Sequence, residues 1–175
     1  MKNFLIAISI IVLGIISVFL RDFINVVDQD EAKTRKNGIS PVELSKKFTA
    51  FYKNASDVEL DKFIQKQTDA KASALPVYIG SGVTLYRVSY SEHLNSVIYG
   101  YEVDGEVLDM SEQELLMSSD TIKQNLKEHH INYFCTFPES RMELDIGIKF
   151  EIVILLKNSK YLASYTLTKD NCSGL

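Results

Sequence analysis

The chain lacks the common signatures of catalysis. It has no G-x-S-x-G nucleophile elbow, and Gly80-Ser81-Gly82 is three residues of turn. A P-loop, a dinucleotide fingerprint and an H-E-x-x-H zinc motif are all missing. There is no basic excess: 19 Lys and Arg face 23 Asp and Glu, a net charge of -4, which argues against a generic nucleic-acid binder. There is no repeat at a solenoid period and no low-complexity tract. With 46% hydrophobic and 24% charged residues, the composition excludes a disordered or collagenous chain. Cysteine is scarce too, with two residues and no C-x-x-C. The expectation is a protein that is not an enzyme and carries no cofactor; an unsigned hydrolase is the one enzymatic option left open.

What is present begins with an apolar block. Phe4 to Leu20 run for 17 positions without a charge. At about 1.5 Å per residue they reach roughly 25 Å, near the short end of a membrane-spanning helix. A cleaved signal peptide is the rival reading. The run is longer than the usual apolar region of such peptides, and Ser17-Val18-Phe19 puts an aromatic where a small residue belongs before the cut. No cysteine follows it for lipidation. Residues 1–20 are therefore read as an uncleaved anchor in a cell inner membrane, 21–40 as a juxtamembrane linker, and 41–175 as an extracytoplasmic domain. Lys2 precedes the run while Arg21, Lys33, Arg35 and Lys36 follow it, and that count alone would put the domain in the cytoplasm. The three-residue tail before the run and the translocation of long C-terminal domains regardless of charge favour the opposite, with the N-terminus cytoplasmic and the domain periplasmic.

Beyond the linker the pattern is α+β. Ser40-Pro41-Val42-Glu43 opens a helix with Leu44, Phe48, Phe51 and Ala55 on one face. Ser56-Asp57-Val58-Glu59 repeats the capping box, so two short helices or one kinked helix run to about Ala72. Val77–Ile79, Val83–Tyr90 and Val97–Val103 read as strands, with Asp104-Gly105 as a two-residue hairpin turn leading into Glu106–Leu108. Ser111-Glu112-Gln113-Glu114 caps a further helix carrying Leu115, Leu116, Ile122 and Leu126 and closing at His129 and His130. Ile148 to Leu156 is the best strand; its later half is apolar on both faces, which suggests a central position covered by helices, and Tyr161 to Thr168 returns beside it. The expected order is α(α)ββαββ, a two-layer domain with a mostly antiparallel four-stranded sheet and packed helices.

Three groups invite a chemical reading. Glu128-His129-His130 with Cys135 nearby are ligand types for zinc, but the spacing matches no metal motif, and a helix end with two histidines is expected to be solvated or dipole-matched; no metal site is assigned. Cys135 and Cys172, 37 positions apart, suit one disulfide in an oxidising compartment, which would stabilise the domain by about 4 kcal/mol in the chain-entropy model; two free thiols or a redox pair remain the alternatives. Glu102, Asp104, Glu106, Asp109, Glu112, Glu114 and Asp120 place seven acids in residues 102–120 with no Lys or Arg among them. The first six are a candidate patch for a basic partner, and a solvated hairpin followed by an acid-rich first helical turn is the plainer explanation.

The C-terminal hundred residues carry a resemblance. Leu75-Pro76 opens a strand, and Tyr99 and Tyr101 alternate on the next. Cys135, Pro138, Arg141, Leu144 and Gly147 then lead into the alternating strand, and Cys172 closes the domain after Asp170. Across about residues 73–173 this resembles the small disulfide-tied periplasmic domains of type II secretion pilotins. The resemblance implies that Cys135 and Cys172 pair structurally, and it transfers no functional residue. Those pilotins are lipoproteins that escort a secretin, whereas this chain has an apolar run and no lipid-attachment cysteine. The combined expectation is a membrane-anchored accessory factor that binds another envelope protein, touches the membrane through residues 4–20 and does not bind nucleic acid. The alternative is an immunity or exclusion protein acting against a toxin or foreign transfer protein.

Overall fold

The computed structural model describes residues 41–80 and 82–173. The apolar run 4–20 and the linker 21–40, and with them the anchor reading, lie outside the described residues. Among the described residues no helix is long and apolar enough to cross a membrane.

Helix α1 (Pro41–Asn54) is followed by α2 (Asp57–Ala72), and the break between them is built by the second capping box. The Ser56 backbone N–H donates to the Glu59 carboxylate at 2.9 Å and its hydroxyl donates to the same oxygen at 2.7 Å. Strands β1 (Val77–Gly80), β2 (Val83–Ser91) and β3 (Ser96–Val103) come next, then helices α3 (Glu112–Met117), α4 (Ser119–Thr136) and α5 (Pro138–Asp145). Strands β4 (Lys149–Leu156) and β5 (Tyr161–Leu167) and a 3₁₀ turn over Lys169–Cys172 complete the domain.

The α+β class holds, and the details differ from the expected order. The sheet has five strands in the order β1-β2-β3-β4-β5. The fifth arises because Val77–Gly80 does not run on into Val83–Ser91 but folds back antiparallel to it, with φ of 108° at Gly80 and 73° at Gly82. At Gly82 a side chain would also meet the Asp104 carbonyl at 2.9 Å. Glu106–Leu108 is not a strand. Gly105 is needed for close approach rather than for a hairpin: its carbonyl accepts from the Met110 N–H at 3.0 Å, and a Cβ there would lie 2.7 Å from the Met110 oxygen. The chain therefore curls on itself and leaves the sheet.

Three helices, not one, cross from β3 to β4, which makes that pair parallel within an otherwise antiparallel sheet. The expected single helix breaks at Ser118, whose hydroxyl donates to the Glu114 carbonyl at 2.6 Å and whose φ/ψ of -96°/2° leaves the α region. Nor does it stop at His130. Ile122, Leu126, His130 and Phe134 form an unbroken i, i+4 stripe, all buried, and α4 runs to Thr136. Pro138 at the first turn then starts α5.

Register places Val97, Tyr99, Tyr101 and Val103 on one sheet face beside Phe150, Ile152, Ile154 and Leu156. That face is the core, and the helices lie on it. Phe134 of α4 packs on Phe150 with ring centroids 4.5 Å apart and on Tyr99 at 5.5 Å. The opposite face carries half-buried Ile98, Val153 and Leu155 around the buried Gly100. The apolar later half of β4 is thus covered by helices on one side only. On the other side the Tyr86 ring lies across Gly100: a Cβ there would come within 2.9 Å of the ring and of the Arg87 Cβ.

Candidate functional site

The acidic stretch is broken up by the fold. Glu102 lies on the helix-free face, opposite Thr84 and Leu155. Asp104 accepts from the Lys157 amine at 2.7 Å and from the Glu106 N–H at 3.0 Å. Glu112 accepts from the Lys160 amine at 2.5 Å and from the Asn158 amide at 2.8 Å. Glu114 is consumed by its capping box, accepting from the Ser111 hydroxyl at 2.7 Å and the Ser111 N–H at 2.8 Å. These bonds hold the carboxyls of Asp104, Glu112 and Glu114 below their ordinary values. Glu106 and Asp109 stand exposed on the loop. The two lysines come from the β4–β5 turn, 53 and 48 positions from their partners, so no local window of sequence could have shown them.

Between that turn and the 104–112 segment lies an open groove of about 440 Å³. Its floor is Met110, Leu115 and Leu156, and its rim carries Asp104, Glu106, Glu112 and Lys157. The groove thus combines an apolar floor with a predominantly acidic rim.

The histidine pair separates. His130 is 4% exposed, its Nε2 lying 3.3 Å from the Tyr101 hydroxyl and its Nδ1 hydrogen-bonded to the Tyr165 hydroxyl. Burial pushes its pKa down to about 3, so the ring is neutral. Cys135 is not beside it as a ligand: it forms the disulfide with Cys172, Cα atoms 5.4 Å apart, tying the end of α4 to the final 3₁₀ turn. Among the described residues no group of three or more His, Cys, Asp or Glu is placed to hold a metal ion.

A second polar centre escaped sequence reasoning. Glu143 of α5 is 5% exposed and faces Tyr52 of α1 and Lys71 of α2 around a cavity of about 10 Å³, close to the space of one water. Burial raises the Glu143 carboxyl. The Lys71 amine, 3.4 Å from the Tyr99 hydroxyl on an otherwise exposed side chain, is pushed up, first by Tyr99. Glu143, on the stripe with Ser140 and Leu144, belongs to a helix that the sequence did not announce. The centre links three helices to β3.

The fold has known counterparts. A pilotin from the Vibrio vulnificus type 2 secretion system, EpsS, superposes with a TM-score of 0.54 at 16% identity, covering 68% of this chain and 96% of the pilotin. The described domain has a pilotin-type fold. A Pseudomonas aeruginosa protein described as secreted matches equally well, with a TM-score of 0.54 at 16% identity over 68% of this chain and 99% of its own. The Vibrio cholerae type II secretion pilotin AspS gives 0.49 at 16% identity, over 66% of this chain and 94% of its own. No family model and no curated protein matches the sequence. The expected resemblance to pilotins is therefore present in three dimensions. At this identity the pilotin-type likeness describes architecture and says nothing residue by residue about partners.

Proposed function

We propose that this protein is an accessory factor of an envelope or secretion machine, acting by binding another envelope protein. The observation that carries the reading is the near-complete coverage of the EpsS pilotin by the described domain, 96% of that chain. Two features support it. The disulfide suits an oxidising compartment. The helix-free sheet face presents Tyr78 and Tyr161, 58% and 57% exposed, among half-buried aliphatic side chains, and aromatic residues of this kind are enriched where proteins meet. Residues 4–20 would hold the domain at the inner membrane in place of the lipid of a pilotin, with the N-terminus cytoplasmic and residues 41–175 periplasmic. The immunity alternative rests on the acidic stretch, in which Asp104 and Glu112 are paired with Lys157 and Lys160.

The test is crosslinking of the full-length protein in its native membrane, with the captured proteins identified by mass spectrometry. Recovery of secretion, pilus or other envelope-machine subunits is the expected outcome. Recovery of a toxin or foreign transfer protein instead would establish the alternative.

A further inference from the structure

We infer that the groove between the 104–112 segment and the β4–β5 turn is a docking site for a peptide segment that carries a basic side chain beside apolar ones. The inference rests on the protein-binding reading above and names the surface and the partner's chemistry. Met110, Leu115 and Leu156 give the groove an apolar floor, and about 440 Å³ is room for two or three side chains rather than a whole helix face. Charge complementarity selects the occupant. The rim offers Asp104, Glu106 and Glu112 against Lys157, with Glu102 and Asp109 close in sequence and Lys160 bonded to Glu112.

Lys157 and Lys160 already show what this rim binds. Each is an exposed amine, with side-chain exposures of 60% and 52%, held by one carboxylate. Exposed pairs of this kind are individually weak, so an incoming Lys or Arg can exchange with them at little cost. Glu106 is exposed and lines the groove, and its charge also acts on Lys157, so it adds to the acidic side of the rim without a hydrogen-bonded lysine of its own among the described contacts. An acidic or purely apolar segment would meet the rim with its carboxylates facing like charge or left partly desolvated, which disfavours both.

The experiment uses the full chain in detergent and two labelled twelve-residue probes, one alternating leucine with lysine, the other alternating leucine with glutamate, followed by fluorescence anisotropy. The lysine probe should bind and weaken steeply between about 50 and 200 mM salt, and the glutamate probe should not bind. Glu106→Lys should weaken the lysine probe at least tenfold. Glu92→Lys, an equal charge change in the β2–β3 turn at the other end of the sheet, should leave it within twofold. Lys157→Ala should tighten binding a few-fold by freeing Asp104. Equal binding of both probes, or equal loss in Glu106→Lys and Glu92→Lys, would overturn the groove. Failure here is separable from failure of the broader reading: a native partner captured equally by wild type and Glu106→Lys removes this site and keeps the accessory role. Probe binding that depends on Glu106, with no envelope protein captured, does the reverse.

Discussion

Single residues in this domain matter mostly through what burial does to them. His130 illustrates the sign. Its folded pKa of about 3 lies below the ordinary 6.5, so the unfolded chain takes up the proton first as pH falls. The stability it contributes is present above about pH 6.5 and is lost between 6.5 and 3. Glu143 works the other way: its raised folded pKa favours the protonated form, so its contribution declines as pH rises above the ordinary 4.5. His130→Gln should therefore flatten the acid-side slope in denaturant unfolding measured from pH 4 to 7, while costing about 1–3 kcal/mol at pH 7 because the Tyr101 and Tyr165 hydroxyls lose their shared partner. An unchanged slope would mean that His130 is not the titrating group. Gly100 gives a second residue-scale expectation. Gly100→Val must displace both the Tyr86 ring and the Arg87 Cβ, each within 2.9 Å of the added atom, and should destabilise by about 1–3 kcal/mol by thermal melting.

At the scale of elements, caps were legible and continuity was not. The boxes at Ser56 and Ser111 appear as the sequence indicates, because a hydroxyl and a carboxylate three residues apart need no distant partner. Ser111→Ala should cost about 1 kcal/mol, read by unfolding, since the Glu114 N–H loses its acceptor. Two histidines look like a dipole-matched terminus, so the local pattern ends α4 too early. The i, i+4 stripe through Phe134 was the signal that outweighed them. Asp104-Gly105 suggests a hairpin at the start of the 104–110 curl, because Asp-Gly is a frequent hairpin turn. What decides it is packing: Gly105 sits against Met110 and Leu115. Gly105→Ala should open the curl, lowering stability by about 1–3 kcal/mol and weakening the lysine probe together, whereas Ser111→Ala should affect mainly stability. Measuring both quantities on both variants separates the shape of the groove from the strength of the fold.

For the whole molecule, the disulfide joins the last helix turn before α5 to the last described turn of the chain, closing 37 residues that include β4 and β5. Removing it with Cys135→Ser and Cys172→Ser together should cost about 2–5 kcal/mol in denaturant unfolding. The same loss should accompany reduction of the wild-type protein, and a variant as stable as the oxidised protein would show that the staple contributes nothing.

The sequence by itself determined the α+β class, the strands at 83–90, 97–103 and 148–156, the capping boxes at Ser56 and Ser111 and the candidate cysteine pair. Periodicity and capping are written within a few residues and need no long-range contact. Only the tertiary structure decided the parallel β3–β4 pairing, the single covered face of the sheet, the burial of His130 between two tyrosines and the Glu143–Lys71 centre. It alone also brought Lys157 and Lys160 to Asp104 and Glu112, which turns a run of acids into the rim of a groove. The physical reason is the same throughout. Each depends on side chains separated by tens of residues, and their encounter is set by which helix crosses which strand rather than by any local pattern.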